Sequence, residues 1–195
     1  MTTPTTQRRF LTSTDLALIA TFAAILAVVS PFSATIFGAA SGTPTTLQMF
    51  AVFLAGAVLG PLRGFLSVVL YLAIGIAGLP VFAGGAAGLA PFSTQTSGYL
   101  LTFPLAAAAI GFAAQYAIRR DSRFTELLVV LGGLVGELVV TLAGALSIAL
   151  FFKVSYSQGL AWAAPFVPID LFKLAIAVVV AMAVHRAFPQ LLSRQ

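Results

Sequence analysis

Asp170 and Lys173 stand three positions apart in Pro165-Phe-Val-Pro-Ile-Asp-Leu-Phe-Lys-Leu-Ala-Ile-Ala-Val-Val-Val180, a stretch with no other charge. On a helix this spacing sets both side chains on one face. An ionised carboxylate only accepts hydrogen bonds and an ammonium only donates them. Together they suit a small amphipathic ligand bearing N–H donors and a carbonyl or carboxylate. They also suit each other. An ionisable residue inside a membrane span costs about 2.5–3.5 kcal/mol, so the pair needs a reason. The residue types alone leave two open: mutual neutralisation, or a polar ligand.

Other chemistry is poorly supplied. The chain has no cysteine, which excludes a disulfide framework, a thiolate metal site and a cysteine nucleophile. Its single histidine, His185, lies beside Arg186 near the end of the last apolar segment. A serine–histidine site would need that histidine next to a nucleophile within the bilayer. Metal-assisted hydrolysis needs several His or carboxylate ligands, and no GxxxxGK[ST] motif offers an ATP site. Gly84-Gly85 and Gly88 lack the strand–helix context of a dinucleotide loop. The sequence reads as a binding protein, not an enzyme, with no metal and no cofactor.

The elements that must position the pair are membrane helices. Of 195 residues, 60% are hydrophobic and 8% charged, and the mean hydropathy is +1.07. A soluble domain carries about 25% charged residues. Six segments read as spans of roughly 20 residues: 14–32, 46–61, 63–80, 98–118, 125–152 and 166–187. They predict an all-α integral membrane protein, one six-helix domain over 1–195. The polar stretch before residue 14 is not a cleavable signal peptide on this reading. Net charge is +5, but its distribution points to topology and the lipid bilayer, not to nucleic acid. Arg8, Arg9, Arg63, Arg119, Arg120, Arg123, Arg186 and Arg194 fall on one side of the membrane, and Lys153 alone on the other. The positive-inside rule then puts both termini in the cytoplasm.

That orientation sends two unusual loops outside. The connections over 33–45 and 79–97 carry no charge and are rich in Gly, Ala, Ser and Thr. Long structureless loops are uncommon unless functional. Phe37, Phe82 and Phe92 favour a lid over the bundle mouth rather than a solvated linker. Asp170 and Lys173, in the first turns of the last segment, open toward the same side. The other intramembrane acid, Glu137, falls near the midplane among glycines that let another helix approach closely. Small residues at four-residue spacing also mark the first segment, as Ala20-x-x-x-Ala24 and, one face over, Ala23-x-x-x-Ala27.

Several strings occur in a telling order: Thr43-Pro44-Thr45-Thr46-Leu47-Gln48; Gly60-Pro61-Leu62-Arg63-Gly64; Gly78-Leu79-Pro80-Val81-Phe82-Ala83-Gly84-Gly85; Ser97-Gly98-Tyr99-Leu100; and Pro165-Phe166-Val167-Pro168-Ile169-Asp170-Leu171-Phe172-Lys173. From about Thr12 to Arg186 the chain resembles the BioY family, the biotin-specific substrate-binding (S) components of energy-coupling-factor (ECF) transporters. The resemblance implies the six-helix S-component fold in a prokaryotic cytoplasmic membrane. It implies high-affinity biotin uptake with a transmembrane coupling subunit and ABC ATPase subunits as partners. Asp170 and Lys173 become polar contacts for biotin. Phe82, Gly84 and Gly85 belong to a substrate-covering loop, with Gly98, Tyr99, Thr46 and Gln48 nearby. Ala20 and Ala24 become the face that docks on the coupling subunit. Three positions depart from the family pattern: Thr43-Pro44 for Val-Pro, Ser97 for glycine, and Thr141 for tyrosine.

Two rivals remain at this stage. An S component for another vitamin should lack the Asp170/Lys173 motif and the GLPVFAGG string. A stand-alone proton-coupled carrier would titrate Glu137, but such carriers show inverted repeats and broken midplane helices.

Overall fold

Thr12 starts the first helix by exchanging hydrogen bonds with Asp15. The Asp15 amide donates to Thr12 Oγ1 at 3.2 Å and the Thr12 amide to Asp15 Oδ2 at 2.8 Å, a reciprocal cap for the open donors of a helix start. The computed structural model describes residues 11–34, 45–120 and 122–193. Arg8, Arg9, Phe37, Thr43, Pro44 and Arg194, which carry topology, loop and motif readings, lie outside the described residues. The helices are α1 (Ser13–Val29), α2 (Gln48–Leu59), α3 (Pro61–Ile76), α4 (Ser97–Arg119), α5 (Thr125–Phe152), α6 (Tyr156–Ala163), α7 (Val167–Ala187) and α8 (Gln190–Ser193). Two-residue strands β1 (Ser33–Ala34) and β2 (Thr45–Thr46) pair antiparallel, with Ser33 opposite Thr46.

Each apolar segment read from the sequence is a helix. The largest difference is at the end of α3, which stops at Ile76 rather than at residue 80. Gly78 takes φ +108°, and Leu79 precedes a proline, which disfavours helical backbone. A helix that was not expected, α6, fills the connection after α5. The Ser155 side chain caps it by accepting from the Gln158 amide at 3.3 Å. Ala163 and Trp162 then pack on Ala145 and Ile148 of α5. Gly159, in mid-helix, masks the helical pattern in the sequence.

Helix length separates two classes. α4, α5 and the run from Tyr156 to Ala187 are long and apolar enough to cross a membrane. α1, α2 and α3 have 17, 12 and 16 residues, short of the roughly 20 an untilted span needs. Length therefore supports three spans where the sequence suggested six. The shortest has a physical reason. α2 is only about 18 Å long at ~1.5 Å per residue, and ten of its twelve residues are buried. It is largely surrounded by protein, with only Phe50 and Leu54 partly exposed.

α4 and α5 share the most extensive helix–helix interface in the structure, where Gly132 and Gly136 of α5 abut Ala109 and Ala106 of α4. The outer face of α5 exposes Leu127, Leu131, Leu134, Leu138 and Leu142. A leucine stripe of this length turned outward suits hydrocarbon, not water. At the end where α1 begins, Arg63 of α3 pairs with Asp15 and donates to Leu191 O at 3.2 Å. Arg63 thereby ties α1, α3 and α8 together, and Leu192 of α8 is fully buried in the core.

Truncating a fully buried leucine costs about 2–5 kcal/mol. Leu192→Ala is expected to lower the thermal unfolding midpoint of the detergent-purified protein. An unchanged midpoint would mean that α8 does not pack as described.

Candidate functional site

The start of α7 holds the charged pair. Pro168 occupies the first turn, where its missing N–H has no intrahelical role. Asp170 follows in the same turn, a favourable place for an anion at a helix N-terminus. Lys173 Nζ donates to Asp170 Oδ1 at 2.7 Å and to Thr45 Oγ1 at 3.0 Å. Both charged residues are only 8% exposed. Thr45 is available because the β1–β2 bridge draws the end of the first connection toward α7. An ammonium has three donors, and two are used. Asp170 Oδ2 has no hydrogen-bond partner among the described residues. The pair is neutral as a unit, and among the described residues it keeps one N–H and one carboxylate oxygen available.

A second set of bonds fixes the adjoining wall. Gln48 Nε2 donates to Tyr71 Oη at 2.6 Å, and Tyr71 Oη donates to Val81 O at 3.1 Å. Thr46 Oγ1 donates to Gln48 Oε1 at 2.9 Å. This relay links β2, α2, α3 and the connection after α3. The connection folds inward at Phe82, which is 1% exposed. Its ring lies where a Cβ on Gly75 would be and meets Tyr71 and Phe92 edge to face, at centroid distances of 5.6 and 5.7 Å. Tyr99 has an equivalent seat against Gly144 of α5. Bare glycine backbone gives each aromatic ring its place.

These walls enclose a cavity of about 310 Å³, at the small end of the ~300–1,000 Å³ typical of ligand sites. Six of the residues singled out in the sequence line it: Asp170, Lys173, Phe82, Tyr99, Thr46 and Gln48. Three do not. Gly84 and Gly85, at φ +65° and +78°, shape the turn after Phe82. A Cβ on Gly98 would enter the Ala143 carbonyl of α5, so Gly98 serves helix packing. The sequence reading missed Met49, Phe103, Val140 and Phe166, and also Thr94, Gln95 and Thr96 of the uncharged loop. Phe166 sat within the P-F-x-P-x-D-x-x-K string. The loop polar residues had only their position as a signal. Phe82, Ala83, Ala86, Ala90 and Pro91 of the connection read as a lid line the cavity.

Glu137 lies close behind this wall. Thr141 Oγ1, the residue standing where the family pattern has tyrosine, donates to Glu137 Oε1 at 2.9 Å. Glu137 Oε2 and the Tyr99 hydroxyl have no hydrogen-bond partner among the described residues.

Ala20 and Ala24 are exposed on α1, whereas Ala23 is buried in the bundle. The two small-residue faces of the first helix therefore point in different directions, and only Ala20 and Ala24 face outward together.

The model of the BioY family matches residues 2–190. The chain belongs to the BioY family. A probable biotin transporter BioY of Pyrococcus horikoshii is 37% identical over 169 residues, covering 86% of this chain and 93% of the relative. The biotin transporter BioY of Rhizobium etli is 30% identical over 183 residues, 92% of this chain and 97% of its own. Among solved structures, the 2.1 Å crystal structure of the S-component for biotin from an ECF-type ABC transporter superposes with a TM-score of 0.75. It is 24% identical and covers 89% of this chain and 91% of that one, so the S-component fold is shared. The BioY relatives are named as transporters, and the apolar helices of this chain fit a multi-pass membrane protein.

The Gln48–Tyr71 bond sets the shape of the cavity and is testable without a ligand. Leaving either group buried and unpaired costs about 1–3 kcal/mol. Tyr71→Phe and Gln48→Leu should each destabilise the protein, and the double variant should cost less than the two costs added. Strictly additive losses in thermal unfolding would show that the two side chains are not coupled.

Proposed function

We propose that the protein binds biotin in the Asp170–Lys173 cavity and acts as the substrate-specific component of an ECF-type transporter in a prokaryotic cytoplasmic membrane. The observation that carries this reading is the half-satisfied charged pair. Both residues line one cavity, and among the described residues one ammonium proton and one carboxylate oxygen of the pair have no partner. Biotin offers the complement: a ureido ring with two N–H donors and one carbonyl, an apolar thiophane, and a valerate chain. Phe82, Tyr99 and Phe103 supply apolar surface for the bicyclic body. The relatives' names, biotin transporter BioY, support the same ligand.

The proposed sequence of events starts outside, where biotin enters between the connections after α1 and α3. Six helices span the membrane on this reading, with both termini cytoplasmic. Closure of the loops excludes water. No ATP-binding motif is present in the chain, so release inside draws its energy from a transmembrane coupling subunit bearing ABC ATPase subunits. Ala20 and Ala24 form the docking face, because exposed small residues let a partner helix approach closely in lipid.

Equilibrium binding of biotin to the purified protein tests the ligand. A hydrogen bond to a charged group is worth about 1.5–3 kcal/mol, so Asp170→Asn and Lys173→Ala are each expected to weaken biotin roughly 10- to 100-fold. Wild-type protein that fails to bind biotin refutes the proposal, and variants that bind as well as wild type return the pair to a structural role. The docking face makes a separate prediction. Ala20→Trp with Ala24→Trp should leave biotin binding intact and abolish uptake in cells that supply the coupling and ATPase subunits. Normal uptake would exclude this face of α1 as the contact.

A further inference from the structure

The cavity is short of charge. Its lining includes two charged side chains, Asp170 and Lys173, and they already neutralise each other at 2.7 Å. No further cation is in prospect nearby. The connections over 33–45 and 79–97 contain no Lys, Arg or His. The one basic residue of the remaining outer connection, Lys153, is exposed beyond the end of α5 and does not line the cavity. A ligand carboxylate placed at the pair could accept only the one proton that Lys173 does not already give. It would set a second anion against the buried Asp170 carboxylate, and being an acceptor it could not satisfy the second Asp170 oxygen.

Binding the ureido group at the pair avoids this. The ring N–H donates to the free Asp170 oxygen, the ring carbonyl accepts from the free Lys173 proton, and the ion pair stays closed. The valerate terminus is then left to the rest of the cavity's polar lining, which includes Thr94, Gln95 and Thr96. All three are neutral. Thr94 gives its proton to Pro91 O at 2.9 Å, so Thr96 is the donor in their 2.8 Å hydroxyl contact. The Gln95 side-chain amide makes no hydrogen bond to a described residue. An amide beside two hydroxyls both donates and accepts. It solvates a carboxamide as readily as a carboxylate.

We infer that the site reads the ureido ring and is indifferent to the charge at the far end of the ligand, so that carboxamides of biotin are substrates alongside the free acid. This rests on the biotin reading above and narrows it to a substrate class.

Displacement of labelled biotin from the purified full-length protein tests it, with three competitors: biotin, biotinamide and a ureido-N-methylated biotin. Biotinamide should compete within about tenfold of biotin, and the ureido-methylated analogue should be at least about a hundredfold weaker. A hundredfold loss for biotinamide overturns the inference while leaving biotin binding standing. Failure of biotin itself would instead remove the proposed function, and this inference with it. A cycle on Lys173→Gln separates the two orientations. With the ureido group at the pair, the variant weakens acid and amide by the same factor. If Lys173 holds the carboxylate, the acid loses at least about thirtyfold more than the amide, which also overturns the inference.

Discussion

A charge in this chain has few places to be, and that constraint shapes everything around it. The hydrocarbon surroundings tolerate an ionised side chain only when a partner sits within hydrogen-bond distance. Among the described residues the protein meets the condition with two interior ion pairs, and differently at its two ends. Asp15 accepts from the amide and the hydroxyl of Thr12 at its own helix start, and pairs with Arg63, which also reaches α8. The Arg63 bonds tie one element to another. Asp170 and Lys173 are tied to each other and to Thr45, and stop short of saturation. One end of the bundle is closed by its ion pair, and the other is left with bonding capacity in a cavity.

Keeping such a pair half-satisfied requires a rigid frame, and the frame is made of backbone contacts more than of charge. The β1–β2 bridge delivers Thr45 to Lys173. The Gln48–Tyr71–Val81 relay fastens α2 to α3 and to the connection that follows. Phe82 and Tyr99 are located by the bare backbones of Gly75 and Gly144, one on α3 and one on α5. A side chain at either glycine would push an aromatic wall of the cavity out of place. Local polar bonds therefore define the floor of the site, and helix-to-ring packing defines its sides.

Much of this was legible in the sequence, for identifiable reasons. Helix positions follow from hydropathy, since a membrane chain writes its spans as long uncharged runs. The pair itself was visible because two charges in such a run stand out. What the sequence did not reveal is the length class of α1–α3. An apolar run has the same appearance whether the helix faces lipid or, like α2, is wrapped by neighbours. α6 was hidden because Gly159 sits in its middle, and its purpose, close approach to Ala145 of α5, exists only in three dimensions. Gly98 shows a second limit. The family resemblance linked it to the ligand, and in the fold its missing side chain makes room for α5.

Thr141 shows how a departure from a family pattern can be absorbed. Where the pattern has tyrosine, the shorter hydroxyl bonds back to Glu137 one turn earlier on the same helix. That contact satisfies one carboxylate oxygen locally and takes Thr141 out of the cavity wall. Tyr99, held against Gly144, then presents its ring to the cavity from α4. The glycine of α5 seats an aromatic ring that α4 carries, so α5 shapes the aromatic wall without contributing a ring of its own. The cavity can thus retain its apolar character while the polar groups behind it change, because ring placement depends on backbone packing and not on the hydrogen bonds of Glu137.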